Sequence, residues 1–234
     1  IMILNYSICI KITIFISVIL FSLSVNSFPI PKNKEVEYDI IRKNKIIGSH
    51  KINFIESEEG LIVETNINIK VKVLLITAYQ FSHTSKELWK DENFIEIEAH
   101  TDFEDEREYF INGQDKNNLF IASGMDGKLE LHKNILPSNF WNIKILKEKE
   151  LFDTQKGIVR KINVKDLGIE EIEIDGINYI CQKFTFNASK NPKDKGPFPE
   201  YTLWYSNNEL MKFKFTNWKD KKVVTLVRKN LGKN

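Results

Sequence analysis

The chain has 234 residues, with 34 Lys and Arg against 32 Asp and Glu and a net charge of +2. At 28% charged and 42% hydrophobic it is too apolar for a disordered chain and too polar for a bundle of membrane spans. Only four of the basic residues are arginine (Arg42, Arg107, Arg160, Arg228), which argues against a nucleic-acid partner, since bases and phosphates are read by clustered planar guanidiniums.

Residues 1–27 stand apart from everything after them. Lys11 precedes an uncharged apolar run from Ile12 to Val25, which is shorter than the roughly 20 residues that span a bilayer. The run ends in Val25-Asn26-Ser27, and Pro29 and Pro31 stop any continuing helix. This is the pattern of a cleaved secretory signal. It predicts an exported protein of the bacterial periplasm or cell envelope with no permanent membrane span. Cleavage after Ser27 leaves residues 28–234 as one domain, a length ordinary for an all-β fold. Cys181 is then the one remaining cysteine and is expected as a buried structural thiol.

From residue 35 the apolar period is two. Extended segments are expected at Glu35–Ile46, Ser49–Ser57, Leu61–Leu75, Tyr79–Lys90, Phe94–Phe103, Glu106–Ile111, Leu119–Ala122 and Lys128–His132. Turns are expected at Gly48, at Asn112-Gly113 and, as a type I′ hairpin, at Asp126-Gly127. Pro137-Ser138 opens a short helix over Asn139–Lys147, capped by Ser138, with Phe140 and Trp141 packed on the sheet or plugging one mouth. Further strands follow at Gly157–Lys165, Ile169–Ile174, Tyr179–Phe186, Tyr201–Tyr205, Leu210–Trp218 and Val223–Arg228, with an exposed Lys-rich loop at Asn187–Glu200. Tight turns between 12–14 strands imply an all-β antiparallel meander with one short helix, curled into a barrel or half-barrel.

Tyr79 to Trp89 is the most informative stretch. Alternation puts Tyr79, Phe81, His83, Ser85, Glu87 and Trp89 on one face, where aromatic and hydrogen-bonding groups mix. Such a face suits a partly polar interior cavity. With Phe140, Trp141 and Asn142 it forms the candidate binding site for a lipid-like or amphipathic ligand. Residues two apart on a strand are about 6.5–7 Å apart at Cα, too far for a direct Ser–His pair between neighbours, and no G-x-S-x-G is present. Catalysis by His83 with Glu87 or Ser85, as an envelope hydrolase, is therefore the alternative. A scaffold that pairs with other envelope proteins through a strand edge or the Lys-rich loop is a third reading. His50, His83, His100 and His132 lie on separate strands, so no metal and no cofactor is expected. Asp153 and Gly157 bracket a turn of the Asx type.

These segments carry a family likeness. Tyr38-Asp39-Ile40, Ile47-Gly48-Ser49-His50, Phe81-Ser82-His83-Thr84-Ser85-Lys86-Glu87-Leu88-Trp89, Leu136-Pro137-Ser138-Asn139-Phe140-Trp141-Asn142, Asp153-Thr154-Gln155-Lys156-Gly157 and Leu203-Trp204-Tyr205 resemble a family of exported bacterial proteins of unknown function. More remotely, the layout looks like the lipoprotein-carrier half-barrels of the bacterial envelope. That second likeness is one of fold and transfers no activity.

Overall fold

A computed structural model of the protein describes residues 30–73, 76–103, 107–194, 196–229 and 231. The expected signal segment at 1–27 lies outside them. Among the described residues there is one large curved, open sheet of fifteen strands. They are β1 Glu35–Arg42, β2 Lys45–Ser57, β3 Gly60–Val73, β4 Ile76–Lys90, β5 Asn93–Asp102, β6 Glu108–Lys116, β7 Leu119–Gly124, β8 Gly127–His132, β9 Leu136–Pro137, β10 Glu150–Asp153, β11 Ile158–Ile174, β12 Ile177–Ala188, β13 Tyr201–Ser206, β14 Glu209–Thr216 and β15 Val223–Arg228. The expected all-β antiparallel meander is the fold observed, with β9 and β10 as its parallel pair.

The spatial order runs from β8 back to β1, crosses to β15, and runs back again to β9. The first and last strands therefore pair in the middle, Tyr38 opposite Arg228. The two outer edges are β8, short and carrying Lys128, Glu130 and His132, and the two-residue β9 with Pro137, both poor templates for adding a strand. Curvature brings the sheet ends into contact. The Met125 N–H donates to the Lys156 carbonyl at 2.8 Å. Gly124 and Gly157 touch there, where a Cβ on either would strike the other's backbone.

Turn chemistry explains the meander. Lys43-Asn44, Asp91-Glu92, Asn117-Asn118, Asp175-Gly176 and Asn207-Asn208 all hold two successive positive φ angles, the backbone that matches strand twist in two-residue hairpins. Several expectations are corrected by this. Glu35–Ile46 is not one strand, because the chain reverses at Lys43-Asn44. Gly48 lies inside β2, where a Cβ would collide with the Asn68 carbonyl of β3. Asn112-Gly113 lies inside β6; Gly113 leaves room for the Phe120 ring, which a Cβ would meet at 2.6 Å. At the Asp126-Gly127 turn only Gly127 has positive φ, so it is not a type I′ hairpin. Lys165 and Ile169 belong to one 17-residue strand, interrupted by a bulge at Gly168 where the Asp166 side chain accepts from the Gly168 N–H.

The helix expected over Asn139–Lys147 is a 3-10 turn, Ile143–Lys147, capped by Asn142, whose side chain accepts from the Lys144 N–H. Ser138 instead accepts from the Thr154 N–H. Cys181 is buried, as expected, in a small cluster with Ile172, Ile174, Trp204 and Met211. Burial and the nearby Glu170 carboxylate push its thiol up, which keeps it protonated and inert.

Candidate functional site

Register places the wall of a cavity row by row. Val36, Ile52, Thr65, Ser85, Ala99 and Ile111 stand side by side across β1 to β6. One step along the strands, Tyr38, His50, Ile67, His83, Thr101 and Tyr109 form a second row. One step the other way, Phe54, Val63, Glu87, Ile97 and Gly113 form a third. Strand alternation makes all three rows face the same side. The opposite wall is aromatic, with Phe186, Tyr201 and Phe215 aligned across β12 to β14. Between the walls lies a cavity of about 220 Å³.

The candidate residues fall out unevenly. Tyr79, Phe81, His83, Ser85, Glu87, Phe140 and Trp141 all line this cavity. Trp89 lies behind it, packed on Phe94 and Trp141 and donating from Nε1 to Glu87 at 2.9 Å. Asn142 is also outside the lining, and its side chain is used as the cap of the 3-10 turn. Phe140 and Trp141 precede that turn rather than sitting on a helix. Phe140 meets Phe186, Tyr201 and Phe213, and its carbonyl accepts from the Tyr205 hydroxyl at 2.7 Å. Trp141 stacks edge-on against Phe54 and Trp89. The segment fills the inside of the curve, as a plug would.

The polar groups of the wall fall into three sets. In the first, His83 shares a hydrogen bond with the Thr101 hydroxyl at 2.8 Å. Burial, with His50 and His100 adding to it, drives its imidazole down to about 3. His50 lies two strands away and burial drives it down to about 4. In the second, Glu87 accepts from Trp89 and from the Asn139 amide at 2.9 Å. Burial lifts its carboxyl to about 7, against the pull of both hydrogen bonds. His83, Ser85 and Glu87 thus each have their own row, and among the described hydrogen bonds none joins one of them to another. The hydroxyl held against His83 is that of Thr101, not that of Ser85.

Sequence reading missed the third set. Arg160 donates to Asp153 at 2.9 Å and to Asp194 at 2.7 Å, and Lys156 is paired with Asp194. Burial opposes the charge on Arg160, but the two carboxylates outweigh it and raise its pKa. Burial also works against the Asp194 carboxylate, and its hydrogen bonds to Lys156 and Arg160 override that and lower it. The exposed loop expected for Asn187–Glu200 begins only after β12 ends at Ala188; Lys190 and Lys193 are exposed as expected, but the loop is tied down. Asp194 anchors it to the sheet, and Phe198 packs on Phe186 and Tyr201 beneath the Arg160 guanidinium. Asp153 does form the expected Asx turn, accepting from the Gln155 N–H at 2.9 Å, while its second oxygen holds Arg160. The scarcity of arginine was the available signal. Arg107, Arg160 and Arg228 are all buried in a chain that otherwise uses lysine.

Arg107, Gly196, Trp218 and Lys219 also line the cavity. A Cβ on Gly196 would sit 3.3 Å from both Arg107 Nη1 and Trp218 Nε1, and Trp218 is 43% exposed.

Residues 38–228 match the family model described as Domain of unknown function (DUF6134). No curated protein matches the chain. Among solved structures, the chain is similar to a β-barrel-like protein of the domain of unknown function DUF1849 from Brucella abortus. The two are 11% identical, with 83% of this chain and 94% of that chain covered and a TM-score of 0.58. A protein described as exported, with a YmcC-like fold, from Bacteroides fragilis matches at 12% identity, 86% and 96% coverage and a TM-score of 0.35. A DUF1329 family protein from Desulfovibrio piger matches at 6% identity, 84% coverage of each chain and a TM-score of 0.21. The first likeness shows a β-barrel-like fold and nothing more, and the other two are too distant to carry an argument. Among the described residues no helix is long and apolar enough to cross a membrane.

Proposed function

We propose that the chain, which belongs to the DUF6134 family, is an exported bacterial envelope protein that binds a lipid-like or other amphipathic small molecule inside its curved sheet, without catalysis. The observation that carries this reading is the cavity wall. Aliphatic and aromatic side chains from two stretches of the curved sheet, β1–β4 and β13–β14, line it from opposite walls, and a few polar groups are set among them, the composition of a small-molecule site. Its 220 Å³ falls below the roughly 300–1,000 Å³ of pockets for drug-sized ligands, so the guest is a small amphiphile or the end of a longer one. The apolar run before Val25-Asn26-Ser27 supports export.

Native mass spectrometry of protein purified from membrane-containing extract tests the reading. The expected result is a stoichiometric organic adduct that is lost on denaturation. A homogeneous unliganded mass, unchanged after incubation with short-chain amphiphiles, overturns it.

A further inference from the structure

Resting on that reading, we infer that the guest is an unbranched chain inserted tail first along β4, and that the Trp141 indole is the end wall that sets how long a chain the protein accepts. On β4 the residues lining the cavity are Tyr79, Phe81, His83, Ser85 and Glu87, and the next on that face, Trp89, is not among them. From Tyr79 to Glu87 the strand rises about 26 Å. Across the sheet the lining narrows towards Glu87. In the Phe81 row, Ile69, Ile40, Leu226 and Phe213 all line the cavity. In the His83 row it is Ile67, His50 and Tyr38, and in the Ser85 row Thr65 and Ile52. In the Glu87 row none of Val63, Phe54 and Ile97 lines it. A blind taper of this kind takes the thin end of a chain and refuses a rigid ring system.

Trp141 closes the narrow end. It lines the cavity, and its ring rests 5.3 Å from Phe54 and 5.4 Å from Trp89, neither of which does. Behind Trp89, Phe94 stacks on Phe120 at 4.7 Å, so a tail that reaches the indole meets close-packed core. Glu87 at this end already accepts from Trp89 and Asn139. Its carboxyl is not open to pair with a head group, and a charged head left unpaired there would be costly. The wide end differs. Among the described lining residues only Pro197, Trp218 and Lys219 are exposed. Gly196, next to Pro197, lies against Trp218 and Arg107, Arg107 stacks on Phe103, and Phe103 meets Phe81, which puts all three at the wide end. A head group there keeps its water, while each methylene of the tail gains by burial until the indole stops it.

A series of straight-chain carboxylates from octanoate to hexadecanoate decides it, titrated by calorimetry at neutral pH below their aggregation concentrations, with cholate as the rigid-ring control. For the unaltered protein, affinity is expected to rise about fourfold per methylene and then level at one chain length, with cholate at least about tenfold weaker than the best chain. Alkyltrimethylammonium salts level at the same length, because the head stays outside. Trp141→Ala moves the levelling point up by about two carbons or more, and Ser85→Leu, which adds bulk one row before the wall, moves it down by about two. The second variant decides the matter should the first not fold. A levelling point unchanged in a folded variant overturns the inference and leaves the cavity reading intact. So does affinity that never levels, or cholate that binds as tightly as the best chain. If neither the chains nor cholate bind, both fail.

Discussion

Glu87 accepts from Trp89 and Asn139 inside an apolar wall, and burial moves its carboxyl from an ordinary 4.5 to about 7. Between those two values the unfolded chain has released the proton and the folded one still holds it, so stability falls as pH rises through this range. The shift corresponds to about 3 kcal/mol. The histidines act in the opposite sense. With His50 lowered to about 4 and His83 to about 3 from 6.5, the unfolded chain binds protons below 6.5 that the folded chain refuses. Stability is therefore gained as pH rises towards 6.5. Glu87→Gln removes only the first effect, because the amide keeps an acceptor for Asn139 and carries no charge. Urea unfolding at pH 4.5 and at pH 8 should show the variant's advantage over the unaltered protein growing by about 3 kcal/mol from the lower to the higher pH. The alternation that revealed Glu87 revealed His83 too, since strand period alone puts them on one face. His50 was less legible, because its place in the cavity wall depends on the cross-strand register with Tyr38 and Ile67, and register is not written in a single strand.

At the scale of the element, glycine was the ambiguous letter. The same residue ends a strand when it supplies positive φ and extends one when it admits a neighbour's backbone. Gly176 does the first, at φ 78 with nothing within 4 Å of a Cβ, and Gly48 does the second. The two can be told apart by mutation. Gly48→Ala pushes a methyl into the Asn68 carbonyl of β3 and is expected to cost about 3 kcal/mol by urea unfolding. Gly176→Ala bears only the left-handed backbone and loses about 1 kcal/mol. The 3-10 turn after β9 was read too long for a related reason. Phe140, Trp141 and Ile145 have helical spacing, but Asn142 caps in front of Ile143, and the aromatic pair is drawn away into the cavity. The loop after β12 was legible as exposed from its lysines but not as anchored, because the residue that fixes it, Asp194, answers to Arg160 34 positions earlier.

Over the whole molecule, the meander was legible from tight turns and period two, and the expected barrel or half-barrel is the curved open sheet observed. Its order was not. Local turns fix each neighbour along the chain but say nothing of the pairing between β1 and β15, which joins Tyr38 to Arg228. That pairing holds the two halves of the sheet together, and the Lys229 N–H adds a bond to the Glu37 carbonyl at 2.8 Å. Deleting Val223 onward should abolish the cooperative unfolding transition followed by circular dichroism and leave both β1 and β14 open to protease. Non-local pairing of this kind makes folding slow, since the loop must close before the contact pays back its entropy.

The same junction sets an order on synthesis. Tyr38 has been made long before Arg228 exists, so a growing polypeptide carries two bare backbone rims where its centre should be. Only β15, Val223–Arg228, seals them. A copy cut short by a stalled ribosome is thus conspicuous through its unsatisfied amides, and a passage between compartments made before that last strand arrives is made by a chain that has not yet closed.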